Sequence, residues 1–184
     1  MLRAKEYDAA IGGRERLVGH TRIGRLLTEG SAEVSYAWKD DETGLPLKGR
    51  ADWLNPSLHT VFDLKTTGDA REHRFTRIAK DKGYATQGAH YINGLRALDI
   101  DIQHYVIVAL EVDPPYEPIL YRISSKDMMI ADAHWRALVD MLAHCVKEKT
   151  WPGYPEHTHV MHMGNYWESE IQAEIAAINE AMYG

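Results

Sequence analysis

The first hydrophobic rhythm in the chain is helical. Leu17, Ile23, Leu26 and Leu27 recur at helix-compatible intervals within residues 3–29, so a helix is expected there, interrupted near Gly12-Gly13 and stopped by Gly30. From residue 32 the period shortens towards two. AEVSYAWKD (32–40), LKGRADWLN (47–55) and HTVFDLKTT (59–67) read as strands, separated by the turn-forming stretches DDETGLP and NPS. Such short connections imply consecutive antiparallel hairpins. A basic polar segment follows to about residue 82, and GYATQGAHYINGLRAL opens a helix expected over 83–98. QHYVIVALEV (103–112) is continuously apolar, as in an interior strand covered on both faces. PILYRIS (118–124) is a further strand. A long amphipathic helix is expected over 125–149 with Trp135, Leu138, Met141 and Leu142 in the core, then a loop, WPGYPEHTHVMHMG, and a terminal helix over 166–182. The order predicts an α/β fold, a mixed central sheet flanked by helices, as a single domain over 1–184. No GxGxxG motif or regular βαβ alternation is present, which excludes a dinucleotide-binding repeat.

Composition narrows the class of protein. With 184 residues, 45% of them hydrophobic and 26% charged, the chain can bury a core of its own. No apolar run approaches the ~20 residues that span a bilayer, and MLRAKEYDAA lacks a signal-peptide core, so a soluble, cytoplasmic protein is expected. The single cysteine, Cys145, excludes an internal disulfide and a four-cysteine metal site, and it reads as a small buried hydrophobe. A net charge of −6 and a pI of about 5.9 give no global sign of nucleic-acid binding. Any such surface must be local. The segment REHRFTRIAKDK (71–82) is the best candidate, with Arg71, Arg74, Arg77, Lys80 and Lys82 against Glu72 and Asp81, although a solvated helix face has the same composition.

Candidate chemistry gathers in the hairpins. In VFDLKTT, Asp63 and Lys65 share one face of a strand while Phe62 and Leu64 take the other. Antiparallel pairing across the preceding turn would set Asp52 beside Asp63. Two carboxylates next to a lysine are costly to bury unless a cation intervenes, and hard oxygen ligands suit Mg²⁺, or Mn²⁺ in its place. A lysine there can orient a water or stabilise charge on a phosphate. An exposed ion pair on an edge strand would have the same spacing. On the helix over 83–98, Tyr84, Gln87 and Tyr91 fall on one face, a polar and aromatic stripe that needs partners. His157, His159 and His162 match no zinc-ligand frame and read as part of an exposed loop.

Taken in order, GRADWLN (49–55), VFDLKTT (61–67) and GYATQGAHYINGL (83–95) resemble the G-x-D…D-x-K…Q-x-x-x-Y series of RecB-type nucleases in the PD-(D/E)XK superfamily. With AEVSYAWKDDETGLPLKGRADWL, VALEVDPPYEP and the late WPGY also matching, the chain is similar, more closely, to the phage-type exonuclease VIII (RecE-like) group over roughly residues 5–167. The resemblance implies a restriction-endonuclease-like fold and a metal-dependent deoxyribonuclease. Asp52, Asp63 and the Leu64 carbonyl would be metal ligands, Lys65 the catalytic lysine, and Gln87 with Tyr91 would position that lysine and the DNA. Glu33, before the first core strand, matches an acidic position that contacts metal-bound water or DNA. Arg50, on the same face as Asp52, and Lys48 with it if no bulge intervenes, would hold phosphate; Arg74, Arg77 and Lys80 of the basic segment would bind DNA, and Glu111 is a weaker acidic candidate.

By the same resemblance the protein would be a Mg²⁺-dependent exonuclease acting 5′ to 3′ on linear duplex DNA ends and leaving single-stranded tails for recombination. It would work as a ring-shaped homo-oligomer beside a single-strand annealing protein, in a phage or prophage setting inside a bacterial host cell. A non-catalytic DNA-binding or assembly module of the same fold, or an endonuclease of the superfamily, are the alternatives. The resembled nucleases carry a metal-binding histidine on an upstream helix that would precede the stretch seen here. The expectation is therefore a weak, water-rich metal site with His20 outside ligand distance.

Overall fold

In a computed structural model, residues 4–154, 158, 160–162 and 164–183 are described, so His157 and His159 of the histidine-rich loop lie outside the described residues. Two compact units result, Met1–Lys149 and Thr150–Gly184. The second carries α6 (Gly164–Tyr183). The first contains α1 (Ala4–Gly19), α2 (Thr21–Leu26), β1 (Ser31–Lys39), β2 (Pro46–Asn55), β3 (Thr60–Thr67), α3 (Glu72–Asp81), α4 (Tyr84–Arg96), β4 (His104–Glu111), β5 (Pro118–Arg122) and α5 (Ser125–Glu148). No described helix is long and apolar enough to cross a membrane.

The strands form one sheet in the order β1-β2-β3-β4-β5. Short turns make β1, β2 and β3 antiparallel neighbours, and the α3–α4 crossover returns β4 parallel to β3. A hairpin then adds β5. The β2–β3 turn is fixed by Asn55, which is buried: its Oδ1 accepts from the Leu58 N–H at 3.1 Å and its Nδ2 donates to the Glu29 carbonyl at 2.9 Å. One amide side chain thus joins the hairpin to the segment following α2.

Alternation along the strands sends residues to two different cores. Val61, Tyr105, Ile107 and Ala109 pack with Phe75 of α3 and with Ile92 and Leu95 of α4. Phe62 and Val108 face the other way, against Ile23 of α2 with Leu17 and Leu27 nearby. A third cluster, Trp38, Ala89, Trp135 and Val139, ties β1 and α4 to α5.

Two expectations change. The first helix does not break at Gly12-Gly13; there the missing side chains allow close packing, since a Cβ on Gly12 would stand 2.4 Å from the Tyr116 ring. The break comes at His20, whose Nδ1 accepts from the Ile23 N–H at 3.3 Å and so caps α2. On α5, Trp135 is buried but Leu138 and Met141 are exposed, because the face that packs with Ala89 of α4 and Trp38 of β1 runs through Ala131, Trp135 and Val139.

At the end of β1, buried Asp40 accepts two bonds from Arg136 of α5, at 2.8 and 3.0 Å, and further bonds from Thr43. The Arg136 hydrogen bond is the main cause that lowers the Asp40 carboxyl from 3.8 to about 2. A depressed acid contributes stability above its unfolded pKa and loses it as pH falls through the folded one. Urea unfolding should therefore show roughly 2 kcal/mol disappearing as pH falls from about 4 towards 2, a loss absent from Asp40→Asn.

Candidate active site at the parting of two strands

Pairing between β2 and β3 runs through Asn55–Thr60, Leu54–Val61 and Trp53–Phe62, and then stops. The next pair in that register would be Asp52 with Asp63. At this point the strands part, and side chains replace the ladder: the Leu64 N–H donates to Asp52 Oδ2 at 2.8 Å. Because the N–H and C=O of one residue in extended backbone face the same edge, the Leu64 carbonyl also faces the β2 side.

Asp63 is only 1% exposed. Its Oδ2 accepts from the Tyr105 hydroxyl at 2.9 Å and pairs with the Lys65 ammonium. Its Oδ1 is buried without a hydrogen-bond partner, an expensive state for a carboxylate oxygen. Burial pushes the Asp63 carboxyl above its ordinary pKa, and the Asp52 charge adds to this, while Lys65 and Tyr105 pull it down. The Lys65 ammonium lies 4.8 Å from the centre of the Tyr84 ring, a cation–π contact that limits where it can go.

On α4, Gln87 Nε2 donates to the Tyr91 hydroxyl at 2.9 Å, and the Tyr91 ring meets the Tyr105 ring edge-on at 6.3 Å. Burial is the main cause that raises the Tyr91 pKa, with the Asp63 charge contributing. The stripe read on this helix therefore reaches the acidic pair through Tyr105. Tyr105 itself was missed in the sequence, where it looked like one more member of an apolar strand. Its signal was the hydroxyl, since a tyrosine in a buried aliphatic run needs a partner.

Glu33 falls between the Ala32–Trp53 and Val34–Ala51 pairs, opposite Asp52, with a left-handed φ of 54°. It pairs with Arg50 at 3.0 Å, and Glu33, Asp52 and Leu64 line a cavity of about 300 Å³. Arg74, Arg77 and Lys80 are exposed on α3, whose Phe75 is buried against Tyr84, the ring next to Lys65. Arg71 is held by Asp69 at 2.7 Å. Glu111 Oε1 accepts from the Ala70 N–H at 3.0 Å, which gives it a part in fixing the β3–α3 loop.

The donor set can be tested against a divalent ion. Among the described residues no cluster of three His, Cys, Asp or Glu side chains is present, so His20 does not complete a three-side-chain cage with the two aspartates. Two carboxylates and a backbone carbonyl nevertheless fit Mg²⁺, which takes oxygen ligands and keeps several waters. The unpartnered Asp63 Oδ1 is the oxygen that such an ion would satisfy.

The family model described as "PDDEXK-like domain of unknown function (DUF3799)" matches residues 1–163. The chain belongs to this family. Its mixed five-stranded sheet flanked by helices is accordingly the α/β, restriction-endonuclease-like arrangement, and the chain is a member of the PD-(D/E)XK superfamily. No curated protein matches the chain. Among solved structures, a "Putative exonuclease" from Eubacterium rectale is similar with a TM-score of 0.66 and 13% identity, over 97% of this chain and 66% of that one. This DUF3799 chain thus spans a little under two thirds of the length of that protein. A "phage related exonuclease" from Haemophilus somnus 129PT overlaps more loosely, with a TM-score of 0.48, 12% identity, and coverage of 82% of this chain and 76% of that one. At 13% identity the likeness to the Eubacterium rectale structure concerns the fold alone.

Proposed function

We propose that this protein is a Mg²⁺-dependent DNA exonuclease of the RecE-like type, with Mn²⁺ able to substitute. The observation that carries the reading is the buried Asp63 carboxylate, one oxygen held by Lys65 and Tyr105 and the other without a partner, next to Asp52 at the parting of β2 and β3. Asp52, Asp63 and the Leu64 carbonyl would hold the ion. When bound, the ion activates a water and offsets charge at the scissile phosphate.

The rest of the work falls to the chain. Lys65 presents an ammonium, steadied by the Tyr84 ring, to the charge that develops on the phosphate. Gln87 and Tyr91 hold the Tyr105 side of the site in place. Arg50, paired with Glu33 in the resting chain, is two residues from Asp52 and so near enough to take a phosphate, with Glu33 left to orient water or DNA. Arg74, Arg77 and Lys80 extend the cationic surface along α3. Cleavage from 5′ ends, a ring-shaped oligomer and an annealing partner complete the RecE-like reading. End-labelled linear duplex and covalently closed circular DNA separate its parts: with Mg²⁺, digestion of the linear form alone is expected. Cleavage of the circle would make the protein an endonuclease instead.

DNA binding should depend on salt despite the acidic pI, because a local patch releases counterions whatever the net charge. Reversing Arg74 and Arg77 to glutamate should weaken binding alike on unrelated duplexes and reduce the slope of log affinity against log salt by about 2. Fluorescence anisotropy over a salt series reads both effects.

A further inference from the structure

We propose that Tyr105 is a positioning residue for the divalent ion: its hydroxyl, together with Lys65, occupies one oxygen of Asp63 and thereby reserves the other for the metal. The inference rests on the metal reading of the site and adds a residue that lies outside the D…D-x-K and Q-x-x-x-Y motifs. A carboxylate can turn about its χ2 angle, and an ammonium held beside the Tyr84 ring still pairs with whichever oxygen is turned towards it, so the ion pair alone does not set the plane of the carboxylate. The Tyr105 hydroxyl is held in a fixed place. The residue is 2% exposed, and its ring is wedged between α4 and the sheet, where Gly88 leaves the space: a Cβ on Gly88 would stand 2.4 Å from that ring. The Tyr91 ring closes another side at 6.3 Å and 72°. A rigid donor at 2.9 Å from Oδ2 therefore sets the plane of the Asp63 carboxylate, and Oδ1 is the oxygen left unpartnered. Hydrogen-bonded partners of metal ligands act in this way in metal sites generally.

Two variants disturb the contact by different routes. Tyr105→Phe removes the hydroxyl and keeps the ring, whereas Gly88→Ala keeps the hydroxyl and displaces the ring while favouring the helix intrinsically. Tyr121→Phe is the control, because it deletes another tyrosine hydroxyl bond in the same core, to the Ala70 carbonyl. Mn²⁺ binding to the full chain without DNA, followed by electron paramagnetic resonance, should weaken about tenfold in Tyr105→Phe and in Gly88→Ala and stay at the wild-type value in Tyr121→Phe. Thermal melts should show the two Tyr→Phe variants losing stability to a similar extent. The metal concentration that half-saturates cleavage should rise by the same factor in Tyr105→Phe, with most of the rate restored at saturating metal. Wild-type Mn²⁺ affinity in Tyr105→Phe would overturn the assignment, as would equal weakening in Tyr121→Phe, which would mark a general loss of packing. A wild-type chain that binds no Mn²⁺ would remove the metal reading itself and the role of Tyr105 with it.

Discussion

Asp63→Asn should lose divalent-ion binding and, with it, essentially all cleavage. The substitution keeps the size of the side chain and a group able to bond Tyr105, but it removes the charge and the oxygen that has no protein partner. Mg²⁺ is strongly hydrated, and a neutral amide competes poorly for it, so a loss of more than about a hundredfold in metal affinity is expected. The fold should survive. A buried carboxylate is costly to desolvate, and an amide in its place removes that cost while leaving Lys65 18% exposed and in reach of water. Calorimetric titration with Mg²⁺ and a thermal melt of the metal-free protein check the two halves of the prediction. Asp52→Asn should act in the same direction, but it also weakens the bond to the Leu64 N–H that holds the parted strands together. Undiminished digestion by either variant would contradict the assignment.

Lys65→Ala separates binding from chemistry. Removing a cation from beside two acids leaves the oxygen ligands in place, so the ion should still bind. What disappears is the ammonium available to charge that grows on the phosphate, and losing one such group typically costs about a hundred- to a thousandfold in turnover. The expected result is a fall in kcat at saturating Mg²⁺ with little change in half-saturation by metal. Lys65→Arg should recover only a small part of the rate, since a planar guanidinium cannot sit over the Tyr84 ring in the same position as the compact ammonium.

The hairpins were legible because their period, turns and register agree. Each of the three strands and its antiparallel partner follows from alternation and a short turn, and the spacing of Asp52 and Asp63 across NPS leads to adjacent positions. What the strands do at that position was not legible. The end of the ladder at Trp53–Phe62 and the bond from the Leu64 N–H to Asp52 depend on three-dimensional contacts that no local pattern encodes. Tyr105 was hidden for a similar reason: it meets Asp63 only through the parallel β3–β4 pairing, made by a crossover of two helices. The helix break at His20 shows the limit of reading glycine as a stop, because Gly12 and Gly13 serve close packing within a continuous helix. Leu138 and Met141 show the limit of helical spacing, which fixes a stripe and leaves open which side of it α4 and Trp38 will cover.

The most direct test is the position of the ion. Crystals of the full chain soaked in Mn²⁺ and measured at the manganese absorption edge should give one anomalous peak within coordination distance of an Asp52 oxygen, Asp63 Oδ1 and the Leu64 carbonyl, and that peak should vanish in Asp63→Asn. A peak elsewhere, or none between β2 and β3 in crystals of a protein that digests DNA with Mn²⁺, would contradict the account.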